Sequence, residues 1–114
     1  MQLNSNVTDD AIIITVHSKR IVAAGAIQFK DQMRELTSGD SNRVILDLQE
    51  VEFIDSSGLG AIIASMKQLA VGKVLELSSL TPNVKKVFHL TRMHTVFKIH
   101  VDRAAALGNQ QEAG

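Results

Sequence analysis

The residues with the most chemical potential lie in one short stretch, Asp55-Ser56-Ser57-Gly58. It follows an apolar pair, Phe53-Ile54, and precedes a run of helical period that begins at Leu59. A carboxylate and two hydroxyls at the mouth of a helix have two uses. They can accept hydrogen bonds from the free N–H groups of the first turn, which makes the stretch a cap. Alternatively, a hydroxyl there can take a phosphate, whose charge of about −1.5 to −2 is favoured by a helix N-terminus. Such a modification would leave the fold intact and change what docks on it. Gly58 and Gly60 keep the start of the helix thin, so that another backbone or a ligand can approach. Capping with tight packing and a phosphate switch both remain open from these residues alone.

Other constellations carry less. His17, His89, His94 and His100 form neither a helical i, i+4 pair nor an HExxH pattern, and no cysteine assists them. His89 and His94 could meet around a turn, but surface or partly buried histidines are the simpler reading. No G-x-S-x-G elbow surrounds Ser56 or Ser57. After Gly60 no second glycine precedes Lys67, so there is no phosphate-cradling loop of the Walker type. The sequence therefore points to a binding module rather than an enzyme, with no metal and no cofactor expected.

Composition narrows the class further. Twelve basic residues balance twelve acidic ones, and no basic run stands out, which argues against a nucleic-acid partner. Trp and Tyr are absent, leaving few stacking platforms for bases. Without cysteine, disulfides are excluded. No segment reaches the roughly 20 apolar residues of a membrane-spanning helix. The N-terminus lacks the basic and then apolar blocks of a signal peptide, so a cytoplasmic protein without membrane insertion is expected. At 114 residues one domain is expected, with a core over about residues 3–107 and a flexible tail at 108–114. Nothing resembles an obligate oligomer interface, so the free protein is expected to be a monomer.

The elements that would position the Asp55–Gly58 stretch follow from periodicity. Residues 11–16 form a β-branched strand, with a weaker strand around Leu3–Val7. Ala26, Phe29, Met33 and Leu36 mark one face of a helix over 23–36, with Gly39 at its stop. Arg43–Leu48 contains Val44-Ile45-Leu46-Asp47-Leu48, a nearly continuous apolar run suited to a central strand, and Val51–Ile54 is apolar again. Leu59, Ile62, Ile63, Met66, Leu69 and Ala70 share a helical face that ends at Gly72. Ala61, Ser65 and Gln68 fall off that stripe and are candidates for an exposed rim that a partner would touch. A strand at 73–77 follows, then a short helix from Pro82 with Val84, Val87 and Phe88 inward. A strand at 96–99 comes next, and a last helix capped by Asp102 covers Ala104–Leu107. Strands alternating with helices predict an α/β domain: a mixed sheet of four to five strands with about four helices packed against it.

Several of these segments together resemble one family. Val44-Ile45-Leu46-Asp47-Leu48, Val51 and Phe53-Ile54-Asp55-Ser56-Ser57-Gly58-Leu59-Gly60 are similar to the signature of STAS domains, especially the single-domain anti-sigma-factor antagonists. The similarity continues through Gly72–Leu77, Pro82–Val87, Leu90-Thr91 and Phe97–Ile99, with Asp102 beyond. The chain departs from the family at Arg92-Met93, where a glycine often follows Leu-Thr. It departs again at Ser18-Lys19-Arg20-Ile21, where Gly and an acidic residue are frequent.

The resemblance implies that Ser56 is a phosphate acceptor. Asp55 would shape the loop beside it, and Ser57 would be a capping or contact residue. Gly58, Gly60, Ala61 and Ser65 would complete the switch loop and partner surface. It further implies a partner-switching pathway. The unmodified form would bind a serine-kinase-type anti-sigma factor or equivalent regulator, phosphorylation would block binding, and a metal-dependent serine phosphatase would restore it. The output could be a sigma factor or another pathway such as biofilm control. A different outcome within the same family is a constitutive subunit of a larger complex, such as a lipid-transport ABC ATPase, with no phosphate cycle.

Overall fold

The computed structural model describes residues 1–112. The central feature is a five-stranded sheet built from β1 (Leu3–Val7), β2 (Ile12–Val16), β4 (Arg43–Asp47), β6 (Val74–Ser78) and β7 (Ile99–His100), adjacent in that order. β1 pairs antiparallel with β2, as a short connection through Asp9-Asp10 dictates, and the remaining pairs are parallel. The intervening helices are α1 (Ala26–Leu36), α2 (Ser56–Lys67), α3 (Pro82–Leu90) and α4 (Arg103–Glu112). The mixed sheet and four helices agree with the architecture expected from the pattern.

Alternation along the strands sorts the two faces. Ile12, Ile14, Val16, Val44, Leu46, Leu75 and Leu77 point into the main core with Phe29 and Met33 of α1, Ile62 of α2, and Val84 and Phe88 of α3. Each fully buried Phe or Ile there contributes about 2–3 kcal/mol of transfer free energy. The other face of β2 and β4 presents Ala11, Ile13 and Ile45 to Ala106 and Leu107 of α4. The near-continuous apolar runs of β2 and β4 thus have one cause: both faces are covered.

The α4 face carries buried charge. Arg43 of β4 donates through Nε and Nη2 to Glu76 of β6 at 2.7 and 2.8 Å, and Nη2 also reaches the Ala106 carbonyl at 2.7 Å. His100 Nε2 lies 2.6 Å from the same Glu76 carboxylate. Burial pushes the Glu76 pKa up, but the hydrogen bonds from Arg43 and His100, with their charges, outweigh it and hold the carboxyl below its ordinary range. Arg103, in the first turn of α4, donates to the fully buried Asp47 at 2.9 and 3.0 Å and to Thr15 Oγ1 at 2.8 Å. α4 is therefore held through its arginine as much as through its alanines.

Several boundaries differ from the periodic reading. α1 opens with a 3₁₀ turn at Ala23–Gly25. α2 stops at Lys67, because Leu69 N–H bonds the Met66 carbonyl and tightens the chain into a turn with Gly72 at φ 90°. The last strand is Ile99–His100 rather than 96–99: Phe97 is spent on an edge-to-face contact with Phe88, centroids 6.0 Å apart. α4 continues past Gly108, where a flexible tail is expected, to Glu112; residues 113–114 of that tail lie outside the described residues.

Beyond α3, Thr91 ends the helix and Arg92 takes the left-handed conformation, φ 61° and ψ 17°. Helices commonly stop with glycine at this position, and Arg92 occupies the place where a glycine often follows Leu-Thr in the family named above. Arg92→Gly is expected to raise stability by about 0.5–1 kcal/mol, the left-handed strain relieved exceeding the extra chain entropy released on unfolding. A urea midpoint equal to or below that of the wild type would contradict this.

Candidate functional site

Two short strands outside the main sheet set the site. β3 (Arg20–Ile21) pairs parallel with β5 (Phe53–Ile54), Ile21 opposite Ile54. The chain leaves β5 at Asp55 and turns at once into α2. Asp55 has extended backbone angles, φ −93° and ψ −178°, and caps the helix: its Oδ1 accepts from Gly58 N–H at 2.7 Å. Its Oδ2 accepts from Ala23 N–H at 3.1 Å, tying the 3₁₀ turn before α1 to the same carboxylate. The Gly58 amide above all, then the Ala23 and Ser57 amides and the nearby Arg20 charge, hold the Asp55 carboxyl below its ordinary pKa against the opposing effect of desolvation.

The capping question is thereby divided. Asp55 does the capping, and neither serine hydroxyl makes a hydrogen bond to the described residues. The capping role expected as an alternative for Ser57 is not realised. Ser56 and Ser57 both lie exposed on the first turn, in the position where added negative charge meets the positive end of the helix.

The two glycines have opposite surroundings. Gly58 is buried, and a Cβ there would stand 2.0 Å from the Ile21 carbonyl oxygen of β3. Close approach of another backbone is thus real at Gly58, and that backbone is the protein's own. Gly60 is exposed, with nothing within 4 Å of the Cβ it lacks. Its thinness faces outward.

Two expected contact residues are corrected. Ala61 is 3% exposed and Ser65 is fully buried, its hydroxyl donating to the Ala61 carbonyl at 2.8 Å. α2 packs on α1 as well as on the sheet, so its buried arc is wider than the Leu59–Leu69 stripe and takes in both small residues. Gln68 bridges to α1 instead, donating to the Lys30 carbonyl and accepting from Arg34. The outward arc is Ser56, Ser57, Gly60 and Lys67, with Ala64 half-buried between them.

Beside it stand features that sequence reasoning missed. Phe53 is 45% exposed, and the Arg20 guanidinium sits 5.5 Å from its ring centroid. Ile27, one turn beyond the 3₁₀ segment tied to Asp55, is 69% exposed. An exposed aromatic, a cation and an exposed aliphatic next to free hydroxyls have the make-up of a docking surface. The available signal was Phe53 alternating outward against Ile54 inward, too short a pattern to read. His89 and His94 do meet, as rings stacked 4.1 Å apart.

A STAS domain profile matches residues 2–106, and the fold just described carries the matched stretch from β1 to α4. The chain belongs to the STAS domain family. Among curated relatives of this STAS chain, BtrV of Bordetella bronchiseptica, described as an anti-sigma factor antagonist, is 30% identical over 98 residues, covering 85% of the chain and 84% of BtrV. A crystal structure described as an anti-sigma factor antagonist from Thermotoga maritima superposes with TM-score 0.81 at 25% identity, over 94% of this chain and 92% of that one. The anti-sigma factor antagonist SpoIIAA in its unphosphorylated form gives TM-score 0.77 over 97% of both chains, at 20% identity. A phosphorylated form of SpoIIAA gives 0.69 at the same identity, over 95% of this chain and 98% of that one. These last two likenesses concern the fold. No described helix of this STAS domain is long and apolar enough to cross a membrane.

Proposed function

We propose that this STAS domain is a non-enzymatic anti-sigma-factor antagonist that acts in a partner-switching pathway, with Ser56 as its phosphorylation site. The observation that supports this reading is the division of labour at the α2 N-terminus. Asp55 caps α2 through Oδ1 and ties down the Ala23 turn through Oδ2, which leaves the Ser56 hydroxyl exposed and uncommitted. The partner is a serine-kinase-type anti-sigma factor, which docks on Ser56, Ser57 and Gly60 beside Phe53 and Arg20. A metal-dependent serine phosphatase reverses the modification.

A phosphate on Ser56 adds a near-dianion next to the ionised Asp55, on the face a partner must cover. Burying that charge, or setting it against acidic groups of the partner, costs about 3 kcal/mol, which is roughly a hundredfold in affinity. The fold is spared because Ser56 makes no contact that the core uses.

Phosphosite mass spectrometry on protein from its native cells is the direct test, with phosphate expected on Ser56. Ser56→Glu is expected to weaken capture of the partner co-purified with the wild type by about a hundredfold, with an unchanged thermal midpoint, whereas Ser56→Ala should bind constitutively. Phosphate never detected on Ser56 across growth conditions, together with co-purification of an ATPase complex, would instead establish a constitutive subunit.

A further inference from the structure

A second site lies on different elements from the Ser56 surface. Between α3, the 3₁₀ turn at Met93–Thr95 and the edge strand β7 there is a cleft of about 450 Å³, within the size range of small-molecule sites. Ile99 and Val101 supply an aliphatic wall. Lys85 and His89, one turn apart on α3, supply the other wall, and His94 stacks on His89 with ring planes 12° apart. His100 also lines the cleft, and it is 6% exposed.

The charge of this cleft has one sign. Among the described residues no Asp or Glu lines it. Behind His100 stands the Glu76 carboxylate, which Arg43 already pairs with through two hydrogen bonds, and the Asp102 carboxylate next to Val101 accepts from the Ala105 amide of α4. His100 spends Nε2 on Glu76, and among the described residues nothing hydrogen-bonds its Nδ1. Lys85 Nζ likewise has no partner among them. A cation without a counter-ion and a stacked pair of imidazoles thus line a pocket with an aliphatic side.

We infer that this cleft binds a small organic anion: a phosphate or carboxylate head held by Lys85 and the imidazoles, with a flat apolar body against Ile99 and Val101. An inorganic anion would satisfy the charge and leave the aliphatic wall wet, so the apolar body is part of the recognition. Through His100 and Glu76 the occupied cleft would be connected to Arg43 and the α4 carbonyl at Ala106, which makes the site a route by which a metabolite acts on this domain independently of phosphorylation.

The test is an amide chemical-shift titration of the full chain in phosphate-free buffer, with phenyl phosphate and inorganic phosphate as the two probes. Phenyl phosphate is expected to give saturable shifts centred on Lys85, His89, His94 and Val101, and inorganic phosphate to bind about tenfold more weakly or worse. Lys85→Glu, at an exposed position, should weaken phenyl phosphate by about tenfold or more, while Lys67→Glu on α2 leaves it unchanged. The free-variant spectra report that both remain folded. Shifts that do not saturate, that spread over the other surface lysines and arginines, or that survive Lys85→Glu would overturn the site. Equal binding of the two probes would overturn the role of the aliphatic wall and reduce the result to diffuse attraction of phosphate.

Discussion

Gly58→Ala is expected to destabilise this STAS domain by about 3 kcal/mol, while Gly60→Ala, two residues along the same helix, is expected to stabilise it by about 0.5–1 kcal/mol. Helix propensity alone predicts a gain at both positions, since alanine forms helix better than glycine by about that amount. Gly60 realises the gain because nothing lies within 4 Å of the added methyl. At Gly58 the methyl would stand 2.0 Å from the Ile21 carbonyl oxygen and 2.7 Å from its carbon, and both atoms are backbone. No side chain can swing away, so β3 must lift off the start of α2. That would weaken the Arg20–Phe53 and Ile21–Ile54 pairing and the bond from Asp55 N–H to Ile21. Overpacking against an unyielding neighbour costs about 1–3 kcal/mol or more, and here the lost pairing adds to it. Urea midpoints of the two variants measure the contrast. Equal effects of one sign would show that β3 does not clamp α2, and a stable Gly58→Ala would remove the reason for glycine there. Because β3 carries Arg20 and β5 carries Phe53, Gly58→Ala should also weaken partner capture with Ser56 intact.

Arg43→Met is expected to cost about 3 kcal/mol at pH 7. It removes both strong donors from Glu76, which is 6% exposed, and the bond to the Ala106 carbonyl of α4. Removing one partner of a buried ion pair leaves the other charge desolvated, a loss of about 3–5 kcal/mol. In the wild type the folded pKa of Glu76 is depressed, so its contribution is present above the ordinary carboxylate range and is lost as the pH falls through the folded value. In Arg43→Met burial outweighs the single remaining bond from His100, the folded pKa rises above the unfolded one, and protonation on acidification becomes stabilising. The deficit between the two proteins should therefore be largest at neutral pH and shrink as the pH falls, first through the raised value in the variant and then, below the ordinary carboxylate range, as the wild type loses its own contribution. The double variant Arg43→Met/Glu76→Leu should recover most of the loss, since replacing a whole buried pair with apolar side chains is often neutral. Denaturant titrations at pH 7 and pH 4 decide the matter: a deficit that grows with acid, or a double variant worse than the single, would refute this account of the network.

Four strands of the main sheet, β1, β2, β4 and β6, were legible in the sequence because each is long enough to show a period. The two-residue β7, by contrast, was expected at 96–99 and lies at Ile99–His100. Val44–Leu48 is apolar but for Asp47, without alternation, and is buried throughout. Phe29 and Met33 mark the inward side of α1, and Ile62 that of α2. The special character of Asp55-Ser56-Ser57-Gly58 was legible too, since short polar residues and glycine at a strand-to-helix junction serve few purposes. Tertiary contacts decided how those purposes were shared out. Whether Asp55 or a serine caps α2 depends on where the Gly58 and Ala23 amides lie, and Ala23 is 32 residues away in the chain. Ala61 and Ser65 fall outside the periodic stripe, yet both are buried, because a helix packed on a sheet and on a neighbouring helix buries more than one face. The β3–β5 pair was invisible for the opposite reason. Two residues on each strand carry no periodicity, and the pair exists only because glycine at position 58 lets the Ile21 backbone settle onto the helix that begins beside it.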